Sequence, residues 1–302
     1  MKSLRLAFAL LFLCASAFAQ AGRSFVSAGT GSDANPCTRS LPCRSFGAAL
    51  ATTVAGGEVI ALDSGGYGPI SINKAISIVS PSGVYAGITG NVALTPAVLI
   101  NAGASDRVVL NGLTLNSTGS HDGIDITAAG SVALINLQIT GFPDEGVFLS
   151  APADVLISDT TFRVNGDGID AKCATHATLS IERGRFEDSV LTGILIDDNI
   201  DASIRNSVIH GGGGTGLKVT PTTGGATAQA DVENCIITSN FSGIRSGGDP
   251  GTADVRVSNS TITMNSFGLN TNVGSTLRSR SNNTLEANPI SDGTFTGTFS
   301  AK

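Results

Sequence analysis

The chain has 302 residues, with 18 Lys and Arg against 24 Asp and Glu, three His, 38 Gly and no Trp. A net charge of −6 lacks the basic footprint that nucleic acids and anionic membrane surfaces select, so neither is expected as a partner. Charged residues are only 14% of the chain and glycine is abundant, which suits many short strands joined by tight turns.

Lys2 and Arg5 precede an apolar run from Leu6 to Phe18 and a small-residue Ala17-Phe18-Ala19 site, the pattern of a secretory signal peptide over residues 1–19. The run is too short to span a bilayer, and no other segment resembles a span. Cleavage after Ala19 would leave one secreted or periplasmic domain, 20–302, with 16 Lys and Arg against 24 acids and no membrane insertion. Cys37 and Cys43 lie in an irregular segment, close enough for a local disulfide in an oxidising compartment. Cys173 and Cys235 fall at different phases of the repeat described below and are not expected to pair, with Cys235 reading as a small core residue. Next, Phe46, Ala49, Leu50 and Val54 have helical spacing behind Arg44-Ser45, which predicts a cap helix over 44–56.

From 57 to 275 the chain repeats. The segment Gly57–Leu62, then Gly66-Tyr67, Ile70-x-Ile72 and Ile76-x-Ile78, reads as a first turn, and the register blurs from Gly83 to Ala97. Beyond it, each unit has two short alternating strands, such as Val132-x-Leu134 and Leu137-x-Ile139, a variable gap, then a glycine followed by a third strand. The glycines are Gly123, Gly146, Gly168, Gly193, Gly216, Gly243 and Gly268, spaced 22 to 27 residues apart. That period means a solenoid, in which each turn buries its apolar face by stacking on the next. Between the first two strands stands Asn136, Asp159, Asn206, Asn234 or Asn259, with Gly112 and Arg183 as exceptions. A sharp bend needs left-handed backbone, which Asn tolerates best after Gly, and stacked Asn side chains can hydrogen-bond along the column.

Three strands per turn, an Asn column at the bend and a Gly before the third strand resemble the right-handed parallel β-helix of the pectate-lyase type. The resemblance implies an all-β, single-stranded right-handed parallel β-helix of about nine turns, roughly 43 Å long, with an N-terminal capping helix and a C-terminal turn or cap over 276–302. This fold hosts lyases, hydrolases, esterases, tailspikes and adhesins, so it implies a groove on the outer face of one strand column rather than an activity.

The residue before each glycine and the outward residue two after it define that face. They bring Asp122, Asp125, Asp144, Glu145, Asp167 and Asp170 onto three adjacent turns, with Phe148 among them and Lys218 and Arg245 further along. Adjacent carboxylates raise one another's pKa or recruit a cation, so Asp122, Glu145 and Asp167 are the positions for a possible Ca²⁺, the one cofactor considered. Asp125 and Asp170, two turns apart, are near the upper limit of an inverting glycosidase pair, whereas adjacent turns match the retaining separation. Phe148 could stack on a sugar, which makes Asp122, Asp125, Phe148 and Asp170 the expected ligand contacts. Charge needed for solubility would also put carboxylates on a solenoid surface.

Enzyme signatures associated with the fold fail. The Trp-containing motifs of pectate lyases are absent, and the polygalacturonase series is matched only by Asn165-Gly166-Asp167, Asp197-Asp198, His210-Gly211 and Arg245, which do not share a column. Gly211-x-Gly213-x-x-Gly216 matches a dinucleotide pattern but no helix follows it. The expectation is therefore a module that binds a polysaccharide or cell-surface glycan without catalysis. The alternative is a polysaccharide lyase or glycoside hydrolase using Asp125, Glu145, Asp167 and Asp170, with Lys218 or Arg245 as the base of a lyase.

Overall fold

The structure, a computed structural model, describes residues 21–248 and 250–300, so the signal peptide expected over 1–19 lies outside the described residues. The chain winds into a parallel solenoid with three sheets of 12, 10 and 9 strands, here sheets A, B and C. Each turn contributes one strand to A, one to B and one to C, in that order; Ser131–Ile135, Gln138–Thr140 and Glu145–Leu149 form one such turn. The strands pair in register from turn to turn, with Val132 opposite Val108 and Val155, and Ile126 opposite Leu149. Alternation sends Val132, Leu134, Ile139, Val147 and Leu149 into the core, which runs the length of the solenoid and includes stacked Phe162 and Phe186 rings 4.7 Å apart.

The bend between sheets A and B is left-handed in every turn from Gly112 to Asn259, with φ between 47° and 76°. Its Asn side chains do form a chain of hydrogen bonds: Asn259 donates to Asn234 at 3.3 Å, Asn234 to Asn206, and Asn206 to Glu182 at 2.7 Å. Arg183 breaks the pattern with an ion pair, holding Asp159 of the preceding bend through Nε at 2.6 Å and Nη2 at 2.8 Å.

A second left-handed column follows the sheet B strands at Gly141, Val164, Asp188, Gly211, Ser239, Met264 and Ala287, where residue type carries no signal. It turns the next residue inward, and there a buried asparagine ladder closes the corner between sheets B and C. Asn265 accepts from the backbone N–H of Asn240 at 3.0 Å, and its amide donates to the Ile237 carbonyl at 3.0 Å and to Asn288 Oδ1 at 3.1 Å. Removing it strands several buried polar groups, each worth about 1–3 kcal/mol. Asn265→Ala is therefore expected to destabilise by about 3 kcal/mol, against about 1 kcal/mol for Asn234→Ala on the exposed ladder, read as shifts of the urea unfolding midpoint.

The recurring glycines have a steric cause. None of the seven has a positive φ, but a Cβ on Gly193 would lie 2.6 Å from the Gly216 carbonyl oxygen and 2.7 Å from Ile209. Gly146, Gly216 and Gly243 are closed in the same way by the carbonyl of the next glycine and a side chain of sheet B.

At the N-terminal end a strand not expected from the sequence, Ala21–Val26, starts sheet A. The cap helix is shorter than 44–56. It spans Phe46–Thr52, with the Ser45 hydroxyl accepting the Ala48 N–H as N-cap, and buries Phe46, Ala49 and Leu50. It stops because Thr53 begins a sheet A strand, Thr53–Ala61, with its hydroxyl donating back to the Ala49 carbonyl at 2.6 Å. At the other end regular strands continue past 275, through Ser275–Ser279 and Thr284–Glu286, and Gly297–Thr298 closes sheet A. Cys37 and Cys43 form the expected disulfide with Cα atoms 4.6 Å apart, and Cys173 and Cys235 are free and buried.

Candidate functional site

The outer face of sheet C carries three parallel columns. The central one runs Asp125, Phe148, Asp170, Leu195, Lys218, Arg245, each the direct register partner of the next. Beside it, ahead of the glycines, run Asp122, Glu145, Asp167, Thr192, Thr215 and Ser242. Beyond it lie Ser150, Lys172, Asp197 and Thr220, where the strand alternation continues one step past each strand. All the expected site residues therefore share one face, acidic toward the N-terminal turns and basic toward the C-terminal ones.

Asp167 and Asp170 are only 9% and 8% exposed, although they lie on the outer surface of the solenoid. Asp125 Oδ1, Asp167 Oδ1 and Asp170 Oδ1 are buried with no hydrogen-bond partner, as are Ser242 Oγ, Thr220 Oγ1 and Arg245 Nε on the same face. Buried polar groups are ordinarily paired, and such a concentration on one face is where a ligand would complete the set. Burial, then the charge of Asp122, pushes Asp125 up to about 7. Burial pushes Asp170 up to about 6 despite Lys172. Burial, then Asp122 within hydrogen-bonding reach, raises Glu145 to about 9. Such displaced carboxyls suit acid–base work near neutral pH.

The set of acids expected to hold a cation changes. Asp122, Asp144 and Glu145 bring ligand atoms within 4.8 Å of one another, whereas Asp167 turns toward Thr192 of the next turn. Asp144 is also held by His121 Nδ1 at 2.7 Å, and the proton on Glu145 reflects burial and then its crowding by Asp122, the like-charge repulsion that a bound cation would relieve. Phe148 is also less open than its position suggested, because Lys172 Nζ sits 5.2 Å from its ring centroid.

Sequence reasoning left Lys172 and Asp197 out of the site. Both occupy the third column, which extending the period-two register past each strand would have found. Asp197 is buried, and its charge helps raise Asp170. The loop at 220–226, which ends where Thr227 starts a sheet A strand, folds onto the Asp197-Asp198 pair, with the Thr222 N–H 3.0 Å from Asp197. At the C-terminal end, Phe241 packs edge-on against Phe267 at 5.5 Å and leaves an exposed aromatic margin.

The raised carboxyls set a sign for pH dependence. A folded-state pKa above the unfolded value means that the native state binds the extra proton, so stability is complete below about pH 4 and is lost as pH rises through about 6 to 9. Asp159, held at about 2 first by the Arg183 hydrogen bond, acts oppositely and loses its contribution as pH falls from about 4. The melting temperature is expected to decline as pH rises from about 4 to about 9, and an Asp125→Asn, Glu145→Gln variant to flatten that decline.

The model for the right handed beta helix region matches residues 75–230 and 192–300. The chain belongs to the right-handed β-helix family. No curated protein matches it. Among solved structures it is similar to XylC in complex with xylose, with TM-score 0.68, 10% identity, and 85% of this chain covering 68% of that one. It is similar also to an alginate lyase from Paenibacillus sp. str. FPU-7, with TM-score 0.67, 18% identity, and 90% of this chain covering 99% of that one. Pectate lyase Pel9A aligns with TM-score 0.52 and 14% identity, over 85% of this chain and 68% of its own. At these identities the likeness is one of fold. Among the described residues no helix is long and apolar enough to cross a membrane.

Proposed function

We propose that the outer face of sheet C is a polysaccharide cleft in which Asp125 and Asp170 cleave a glycosidic bond by general acid–base catalysis. The observation that carries this reading is the row of buried, unpartnered carboxylate oxygens at Asp125, Asp167 and Asp170 on one open face, a cost without purpose in a structural module. Asp125 and Asp170 flank Phe148, two strands and so about 10 Å apart along the backbone, at the upper limit for an inverting pair with a water between. Asp125, which keeps its proton to about 7, gives it to the leaving oxygen; Asp170, ionised above about 6, takes a proton from the attacking water. Fold neighbours named as alginate and pectate lyases, and one holding xylose, fit a sugar polymer as the ligand. The disulfide fits an exported protein, since such bonds persist in oxidising compartments.

A second reading, glycan binding without cleavage, is favoured by Lys172 over Phe148, which restricts stacking between the two acids. Purified protein incubated with acidic and neutral polysaccharides separates the two. New reducing ends that vanish in Asp125→Asn and Asp170→Asn variants support cleavage. Retained binding without new ends supports the second reading, and absence of both overturns the cleft.

A further inference from the structure

The basic half of the face is unused by this chemistry. Lys218 and Arg245 are register partners on adjacent strands, about 4.8 Å apart, so two cations stand side by side on one surface. Several arginines elsewhere are matched with acids: Arg183 binds Asp159, Arg256 binds Asp231 and Asp254, and Arg278 binds Asp254. Among the described residues neither Lys218 nor Arg245 has an ion-pair partner within reach. Arg245 Nε is buried without an acceptor. On either side, Ser242 Oγ, in a residue only 4% exposed, and Thr220 Oγ1 are buried and unpartnered as well.

We infer that Lys218, Arg245, Ser242 and Thr220 form a seat for an anionic substituent, a carboxylate or sulfate, of the chain bound along sheet C. The assignment rests on sheet C being a polysaccharide cleft and names the class of polymer, an acidic one. Guanidinium and ammonium groups bind such anions through charge-assisted hydrogen bonds, and Arg245 Nε is the donor lacking a partner. The seat lies two to three strands from Asp170, so an anchored polymer would extend along the column toward Asp170 and Asp125. Asp170 and Asp167 already feel the Lys218 charge. The protons held on the acidic half also reduce its repulsion of a polyanion.

The test compares polygalacturonate with its methyl ester, and dextran sulfate with dextran, by affinity electrophoresis at low salt. Galacturonate and sulfate titrations, followed through the Arg245 Nε–H resonance, accompany it. Wild type is expected to prefer one charged polymer over its neutral counterpart at least tenfold. Lys218→Gln and Arg245→Gln should erase the preference while leaving the melting temperature in place, and the polymer preferred tells carboxylate from sulfate. Equal binding of charged and neutral forms, or full binding by both variants, overturns the seat. A shift of Arg245 Nε–H by either small anion with no polymer bound keeps the seat and overturns the polysaccharide reading. No shift and no preference overturns both.

Discussion

Gly193→Ala is expected to destabilise the protein by about 3 kcal/mol or more, a loss rarely produced by one added methyl. The new Cβ would lie 2.6 Å from the Gly216 carbonyl and 2.7 Å from Ile209. The carbonyl belongs to the ladder of sheet C, so relief requires shifting backbone that is hydrogen-bonded on both sides rather than rotating a side chain. Gly47→Ala is the control. It lies in the cap helix with nothing within 4 Å of the added carbon, and is expected to stabilise by about 0.5–1 kcal/mol through helix propensity. Urea unfolding monitored by far-ultraviolet circular dichroism reads both. Equal effects at the two positions would remove the steric account of the repeated glycines.

The second large effect is on chemistry. Asp125→Asn and Asp170→Asn are each expected to lower kcat about 10²–10⁴-fold, the usual contribution of a positioned acid or base. The two losses differ in kind. A substrate with a good leaving group needs little protonation, so it should restore turnover to Asp125→Asn and not to Asp170→Asn. Because the productive form has Asp170 ionised and Asp125 protonated, wild-type kcat/KM should peak between about pH 6 and 7 and fall on both sides. Removing Asp170 should flatten the acid limb, and removing Asp125 the alkaline one. Retention of full activity in both variants would sink the assignment.

The sequence revealed most of the fold because the solenoid repeats each requirement seven times. Asn234 at a bend means little alone, but Asn at the same phase on several turns names a left-handed position, and the glycine column names a strand and its inward side. The inner asparagine ladder stayed hidden because Ser189 and Gly212 interrupt Asn165, Asn240, Asn265 and Asn288, which look like scattered loop residues. The second left-handed column was invisible for a different reason: Val164 and Met264 are poor formers of that conformation, imposed by the stacking of turns. In the site, period-two alternation placed Asp125, Asp170, Lys218 and Arg245 on one face. It could not show that Asp144 rather than Asp167 faces Asp122, since that depends on side-chain direction. Nor could it show Lys172 over Phe148, a contact that no repeat enforces.

The glycine contacts also have a direction. Each missing side chain makes room for a carbonyl from the following turn: Gly193 for Gly216, Gly216 for Gly243, Gly243 for Gly268. Every turn is thus shaped to receive its successor, and Gly268 meets the Asp292 carbonyl where the series ends. Removal or duplication of a complete repeat leaves every such socket filled by an equivalent neighbour, whereas one methyl blocks it. Such a lattice changes length more readily than it changes residues, so the number of positions along its binding face can vary by duplication while the cross-section stays fixed.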